Sequence, residues 1–97
     1  MAFDALVSDT ARSFVDQLSP VYEQEFRHVL DDLLQDPSPD GITKVELGFP
    51  YRPGIYGYAS GSFWIAYLFL NAMVLFVVAV YWSPSSPNHP LHHPRSN

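Results

Sequence analysis

Cysteine is absent from the 97 residues, which excludes both a disulfide framework and a thiolate metal site. Cations are scarce: five Lys and Arg stand against ten acids, for a formal charge of −5. Binding to phosphates needs clustered cations that displace counterions, so this balance disfavours RNA or the ribosome as the main partner. The opening stretch "MAFDALVSDT" has no basic region and carries Asp4 and Asp9 too early for a signal peptide, so the cytoplasm is the default expectation. Internal repeats are lacking, and so is any motif that would hold a cofactor. The length allows one domain at most, whose core must be used efficiently. Material for that core is present, with 47% of residues apolar and 15% aromatic.

What the chain does have is a long uncharged run, "FWIAYLFLNAMVLFVVAVYW", over residues 63–82. As one helix of about 20 residues it would match a hydrocarbon core roughly 30 Å thick. Trp64, Tyr81 and Trp82 would then form an aromatic belt. Three features favour two strands instead. The nearest cations, Arg52 and Arg95, are too distant to orient a span. Tyr67, Phe69 and Phe76 are mixed with Val74, Val77, Val78 and Val80, a composition suited to a pleated surface. Asn71-Ala72 near the midpoint is a turn signal that divides the run into "FWIAYLFL" and "MVLFVVAVYW", each of strand length. A hairpin is therefore expected, with a single membrane span as the alternative.

The rest of the chain agrees with the hairpin. Phe3 to Ser8 alternates as a short strand. Asp9 or Thr10 can cap a helix in which Ala11, Phe14, Val15 and Leu18 share a face. Ser19-Pro20 opens a second helix, with Tyr22, Phe26, Val29, Leu30, Leu33 and Leu34 as its apolar stripe and Pro37 and Pro39 beyond its end. So short a connection makes the two helices an antiparallel hairpin, which needs a sheet to cover its stripe. "TKVEL" and "GIYGYAS" are extended pieces. The expected architecture is α+β, a small twisted antiparallel-rich sheet packed on one face by the α-hairpin in the order β-α-α-β-β-β. Residues 1–82 form the domain, and 83–97, rich in Pro and His, a disordered tail.

The order of these pieces, with the "DP" helix stop, the Lys and Leu of "TKVEL" and the aromatic-x-Ile-x-Tyr of "FWIAY", resembles the RelE/ParE superfamily of type II toxin–antitoxin systems as a diverged member. The resemblance implies a helical hairpin on one side of the sheet. In the ribosome-dependent RNase branch it implies mRNA cleavage on the other side by attack of a ribose 2′-OH, aided by Lys and Arg side chains. Carried over residue by residue, Lys44 fits the first basic position and Arg52 lies near it, so these are the catalytic candidates. Trp64 stands where the third-strand Arg is expected, and "YWSPSS" stands where basic residues should follow the last strand. The usual nuclease set is largely missing.

Strand parity adds a second line. Phe63, Ile65, Tyr67 and Phe69 share one face, and Trp64, Ala66, Leu68 and Leu70 the other. If the first set packs on the helices, the second is an apolar surface that must itself be covered, so these four are the expected partner-binding residues. The partner would be an antitoxin or a second copy of the chain. An active ribosome-dependent endonuclease is the alternative function. His28 is expected to be a partly buried helix residue, and Asp31, Asp32, Asp36 and Asp40 a solvated helix end. His89, His92 and His93 have the chemistry of metal ligands, but on a Pro-rich tail no metal site is expected.

Overall fold

The long apolar run determines the architecture because each of its halves hydrogen-bonds to the other. The computed structural model describes residues 2–84 and 86–88. The elements are β1 (Asp4–Val7), α1 (Asp9–Asp16), α2 (Pro20–Gln35), β2 (Lys44–Glu46), β3 (Ile55–Ser60), β4 (Phe63–Asn71) and β5 (Val74–Trp82). They make an α+β fold with one five-stranded sheet in the order β1-β5-β4-β3-β2. β1 lies parallel to β5, and all other neighbours are antiparallel. Both extended pieces after the helices are strands, so the sheet has one strand more than the expected order. The single-span alternative is overturned: residues 63–82 are a hairpin, and no helix among the described residues is long and apolar enough to cross a membrane.

The turn of that hairpin is Ala72-Met73, one residue later than the turn signal suggested, since Asn71 still pairs with Val74. Asn71 contributes through its side chain, whose Oδ1 accepts the Met73 N–H at 2.8 Å. Two-residue hairpin loops favour primed turns with positive φ, yet no non-glycine residue among those described has one. The mismatch in twist is taken up by a bulge, which leaves Leu70 without a cross-strand partner between Phe69 and Asn71.

A second bulge places Val78 between the pairs Tyr67–Val77 and Ala66–Ala79. Ser8 compensates for it. Its Oγ donates to the Val78 carbonyl at 2.6 Å, and its N–H donates to the Val77 carbonyl at 3.0 Å. The same Oγ accepts the Ala11 N–H at 3.1 Å, so Ser8, rather than Asp9 or Thr10, is the N-cap of α1. Asp9 falls in the first turn, where a carboxylate favours the helix dipole.

The core lies between the helices and one face of the sheet. Phe26, Val29 and Leu33 of α2 and Ala11 of α1 pack with Phe63, Ile65, Tyr67, Leu75, Val77 and Val80. Phe63 stacks on Trp82 at 5.2 Å between ring centroids, with Phe14 and Tyr22 meeting both rings edge-on. Glu25 ties α2 to the β3–β4 turn by accepting the Ser62 N–H at 2.6 Å and its hydroxyl at 3.1 Å. His28 is exposed on α2, not partly buried. The tail does not leave the domain at once: Ser83 and Ser86 are buried, and the Ser83 N–H bonds the Ser62 carbonyl at 2.8 Å. The remainder of the tail, including His89, His92 and His93, lies outside the described residues.

Tyr67 joins the two layers. It is fully buried, and its hydroxyl donates to the Pro37 carbonyl at 2.7 Å just past α2. Burial, reinforced by nearby Tyr56 and Asp40, holds this phenol protonated far above its ordinary range. Tyr67→Phe would leave a buried carbonyl unsatisfied and is expected to destabilise the fold by about 1–3 kcal/mol. Denaturant unfolding should show a lower midpoint at unchanged slope. A loss below about 0.5 kcal/mol, typical of a surface change, would contradict the role assigned to this bond.

Candidate partner-binding face

Register places the residues of the helix-free face in rows across the strands, because directly opposed residues point to the same side. Leu6, Phe76, Leu68 and Ile55 form one row. Ala79, Ala66, Gly57 and Val45 form the next. Tyr81, Trp64 and Ala59 form the third. Small residues make up the middle row, between an aliphatic row and an aromatic one. Ala66 and Gly57 are buried beneath their neighbours, whereas Leu6 is 56% and Tyr81 46% exposed.

The aromatic row is organised. Trp64 packs against Tyr81 at 5.4 Å and Tyr51 at 6.5 Å between ring centroids. The Tyr51 hydroxyl is hydrogen-bonded to that of Tyr81, and this bond, followed by burial, raises the Tyr51 phenol above its usual value. Gly57 is what allows the indole to lie close. A Cβ there would come within 2.8 Å of the Trp64 ring and 2.9 Å of Leu47. Tyr51 is carried in by the loop after β2, which closes where Glu46 accepts the Gly54 N–H at 2.9 Å and the Leu47 N–H bonds Ile55 at 2.8 Å.

Trp64, Ala66 and Leu68 thus stand on the face that alternation assigns them, with Ala66 buried rather than at the contact surface. Leu70 does not continue the row, because the bulge removes it from the register. Tyr51, Leu6 and Phe76 join the face without having been singled out. A glycine inside a strand pattern, as at Gly57, was the available signal for a close approach of this kind.

The cations are placed elsewhere. Lys44 pairs with Tyr58, and its Nζ lies 5.2 Å from the centre of that ring, on the helix side of the sheet. Arg52 is exposed in the loop beside Tyr51. Among the described residues neither side-chain charge is paired with an acid; the ion pair there is Arg27 with Glu23 at 2.9 Å on α2. The two catalytic candidates are therefore not brought together. No group of His, Asp and Glu among the described residues is arranged to hold a metal ion.

Asp40 sets the position of Lys44. Its Oδ1 accepts the N–H groups of Ile42, Thr43 and Lys44 at 2.8, 2.8 and 3.0 Å, and its Oδ2 accepts the Thr43 hydroxyl at 2.7 Å. Gly41, at φ +75°, allows the chain to close, so that its own N–H and that of Asp40 reach the Lys44 carbonyl. This carboxylate is not part of a simple solvated helix end. The Lys44 backbone bond first, then the Thr43 hydroxyl, hold it well below the usual carboxylate range.

With this geometry in view, the comparison with solved structures concerns the fold. The chain is similar to the RelBE2 toxin–antitoxin complex of Mycobacterium tuberculosis, with a TM-score of 0.71 at 15% identity over 86% of this chain and 100% of that one. It is similar to the RelE–RelB complex of Pyrococcus horikoshii, with a TM-score of 0.63 at 15% identity over 89% and 100%. It is also similar to the isolated RelE toxin of E. coli, with a TM-score of 0.65 at 17% identity over 88% of each chain. No protein-family model and no curated protein sequence matches. The fold is RelE-like, in keeping with the resemblance in the sequence.

Because the Asp40 carboxyl is more acidic folded than unfolded, it contributes stability above the unfolded pKa and loses it as pH falls through the folded one. The stability difference between the natural chain and Asp40→Asn is therefore expected at neutral pH and should shrink below about pH 4. Denaturant midpoints of both chains measured from pH 7 downwards check this. A difference that stays constant across the range would refute it.

Proposed function

We propose that this chain is the toxin-fold member of a type II toxin–antitoxin pair, acting in the cytoplasm, and that its main activity is to bind its antitoxin through the apolar, helix-free face of the sheet. The carrying observation is that no strand residue of the helix-free face is Lys or Arg, while Trp64 stands at the place that the family resemblance assigns to a phosphate-clamping Arg. Solved structures of like fold include toxins in complex with their antitoxins, which supports the class of partner. Removing a preorganised donor to a developing oxyanion typically lowers rate by about 10²–10³. A face whose strand residues include no Lys or Arg is better suited to apolar recognition, where a few buried aromatic and aliphatic anchors carry most of the energy.

The competing reading is an endonuclease using Lys44 and Arg52. It asks Lys44, directed over Tyr58 on the helix side, to serve chemistry on the opposite face.

Binding should be measured with the product of an adjacent reading frame as partner. Leu68→Glu and Trp64→Ala are each expected to weaken it about 30-fold or more, roughly 2 kcal/mol, with folding verified by thermal melting. Unchanged affinity in both variants would remove the face from the proposal. In parallel, mRNA cleavage on translating ribosomes that is lost in Lys44→Ala would establish the enzyme instead.

A further inference from the structure

One large apolar side chain is left wholly in solvent. Phe49, in the loop between β2 and β3, is 99% exposed, whereas Phe26 and Phe63 are buried. A single exposed apolar residue is common on protein surfaces. What distinguishes Phe49 is the support beneath it. The Leu47 N–H bonds the Ile55 carbonyl at 2.8 Å, and the Glu46 carboxylate accepts the Gly54 N–H at 2.9 Å, so the base of the loop is closed. The Tyr51 N–H bonds the Gly48 carbonyl at 3.0 Å, and the Tyr51 ring rests on Trp64. Pro50 and Pro53 fix two further φ angles. Phe49 is therefore presented on ordered backbone, and its loop has little freedom left to lose in a contact.

The same molecule holds a depression of matching size. Phe14, Gln17, Leu18 and Trp82 line about 160 Å³, and an apolar cavity of roughly 150 Å³ takes up a benzene ring. Phe14 already meets Trp82 edge-on at 5.3 Å between centroids. A further phenyl ring would extend this edge-to-face packing, which aromatic rings prefer. The charges beside the two features are opposite. Arg52, three residues from Phe49, is exposed and has no acidic partner among the described residues. Asp16 precedes Gln17 at the end of α1, whose last turn has no basic residue, and the carbonyl end of the helix adds partial negative charge. The two features also lie on opposite sides of the sheet. Trp82 pairs with Phe63 on the helix side, while Tyr51 ties the loop to Trp64 on the other. Phe49 therefore does not reach the depression of its own chain.

We propose that Phe49 of one copy of this chain inserts into the depression of Phe14, Gln17, Leu18 and Trp82 on a second copy, with Arg52 facing Asp16. Knob and socket are different surfaces, so the contact is head-to-tail. Each added copy brings a free knob or a free socket, and association continues beyond two copies. The contact uses neither Leu68 nor Trp64, and so stands apart from the partner proposed for the helix-free face.

Sedimentation of the full chain should show an average mass that rises with concentration above that of one copy. A chain that stays monomeric up to about 1 mM would overturn the proposal. Phe49→Ser and Gln17→Lys change exposed residues, and each alone should abolish the rise. Mixed together, the two variants should form a complex that stops at two copies, because the first keeps only its socket and the second only its knob. Association that survives either substitution, or a mixture that stays monomeric, would refute the contact. The two tryptophans locate it. In isotope-labelled Phe49→Ser, added unlabelled Gln17→Lys should shift the Trp82 indole N–H signal and leave that of Trp64 in place; movement of Trp64 alone would assign the contact to the other face and sink the proposal. Leu68→Glu should self-associate as the natural chain does, so this result and antitoxin binding can fail separately.

Discussion

Pairing of residues 63–71 with 74–82 is the constraint on which the other elements depend. These two strands occupy the middle of the sheet, and each supplies side chains to both of its faces. β1 has no antiparallel neighbour and is held by β5 alone, while β2 and β3 are added on the β4 side. The helices in turn pack on Phe63, Ile65, Tyr67, Leu75 and Val77, all within the run. A strand that is apolar on both faces shows no polar alternation, which is why this stretch has the hydropathy of a membrane span. Its aromatic and β-branched content carries the distinction.

The two faces solve the same apolar excess differently. On one side the helices bury it, and the polar groups that this burial strands are satisfied by long-range bonds: Tyr67 to Pro37, Glu25 to Ser62, Ser8 to Val78. On the other side the sheet reduces the excess by using small residues in the middle row, by laying Trp64 and Leu47 over Gly57 and by packing Tyr51 on Trp64. What is left, the rows containing Leu6, Phe76 and Leu68 and containing Trp64 and Tyr81, stays partly accessible.

The helices, the hairpin and the parity of Trp64, Ala66 and Leu68 were legible in the sequence, because burial imposes a period of 3.6 or 2 on residue type. Features set by single polar side chains were not. Asp9, Thr10 and Ser8 are all competent caps; Ser8 wins because the strand ends at Val7 and only the next residue still has extended backbone, with Asp9 then favoured in the first turn. Asp40 resembled the other acids of the helix end until Gly41 and Thr43 were seen to close the chain around it. Both bulges escaped notice for a related reason: an extra residue in a run where both faces are apolar leaves no mark on the hydropathy pattern. Leu70 falls at one of them and so has no cross-strand partner.

The fate of Lys44 follows from register rather than composition. A strand's side chains alternate, so a slip of one residue between β2 and β3 would carry Lys44 from Tyr58 to the row of Gly57 and Ala66. Val45 fits either side, so the apolar pattern of so short a strand hardly opposes the slip. What opposes it is Asp40, which binds the Lys44 N–H while Lys44 returns its carbonyl to Asp40 and Gly41. The cation then settles over the Tyr58 ring, an arrangement worth about 0.5–1 kcal/mol where partly exposed. A carboxylate outside the sheet therefore decides which face carries the strand's one positive charge, and the face it leaves uncharged is the one available for apolar recognition.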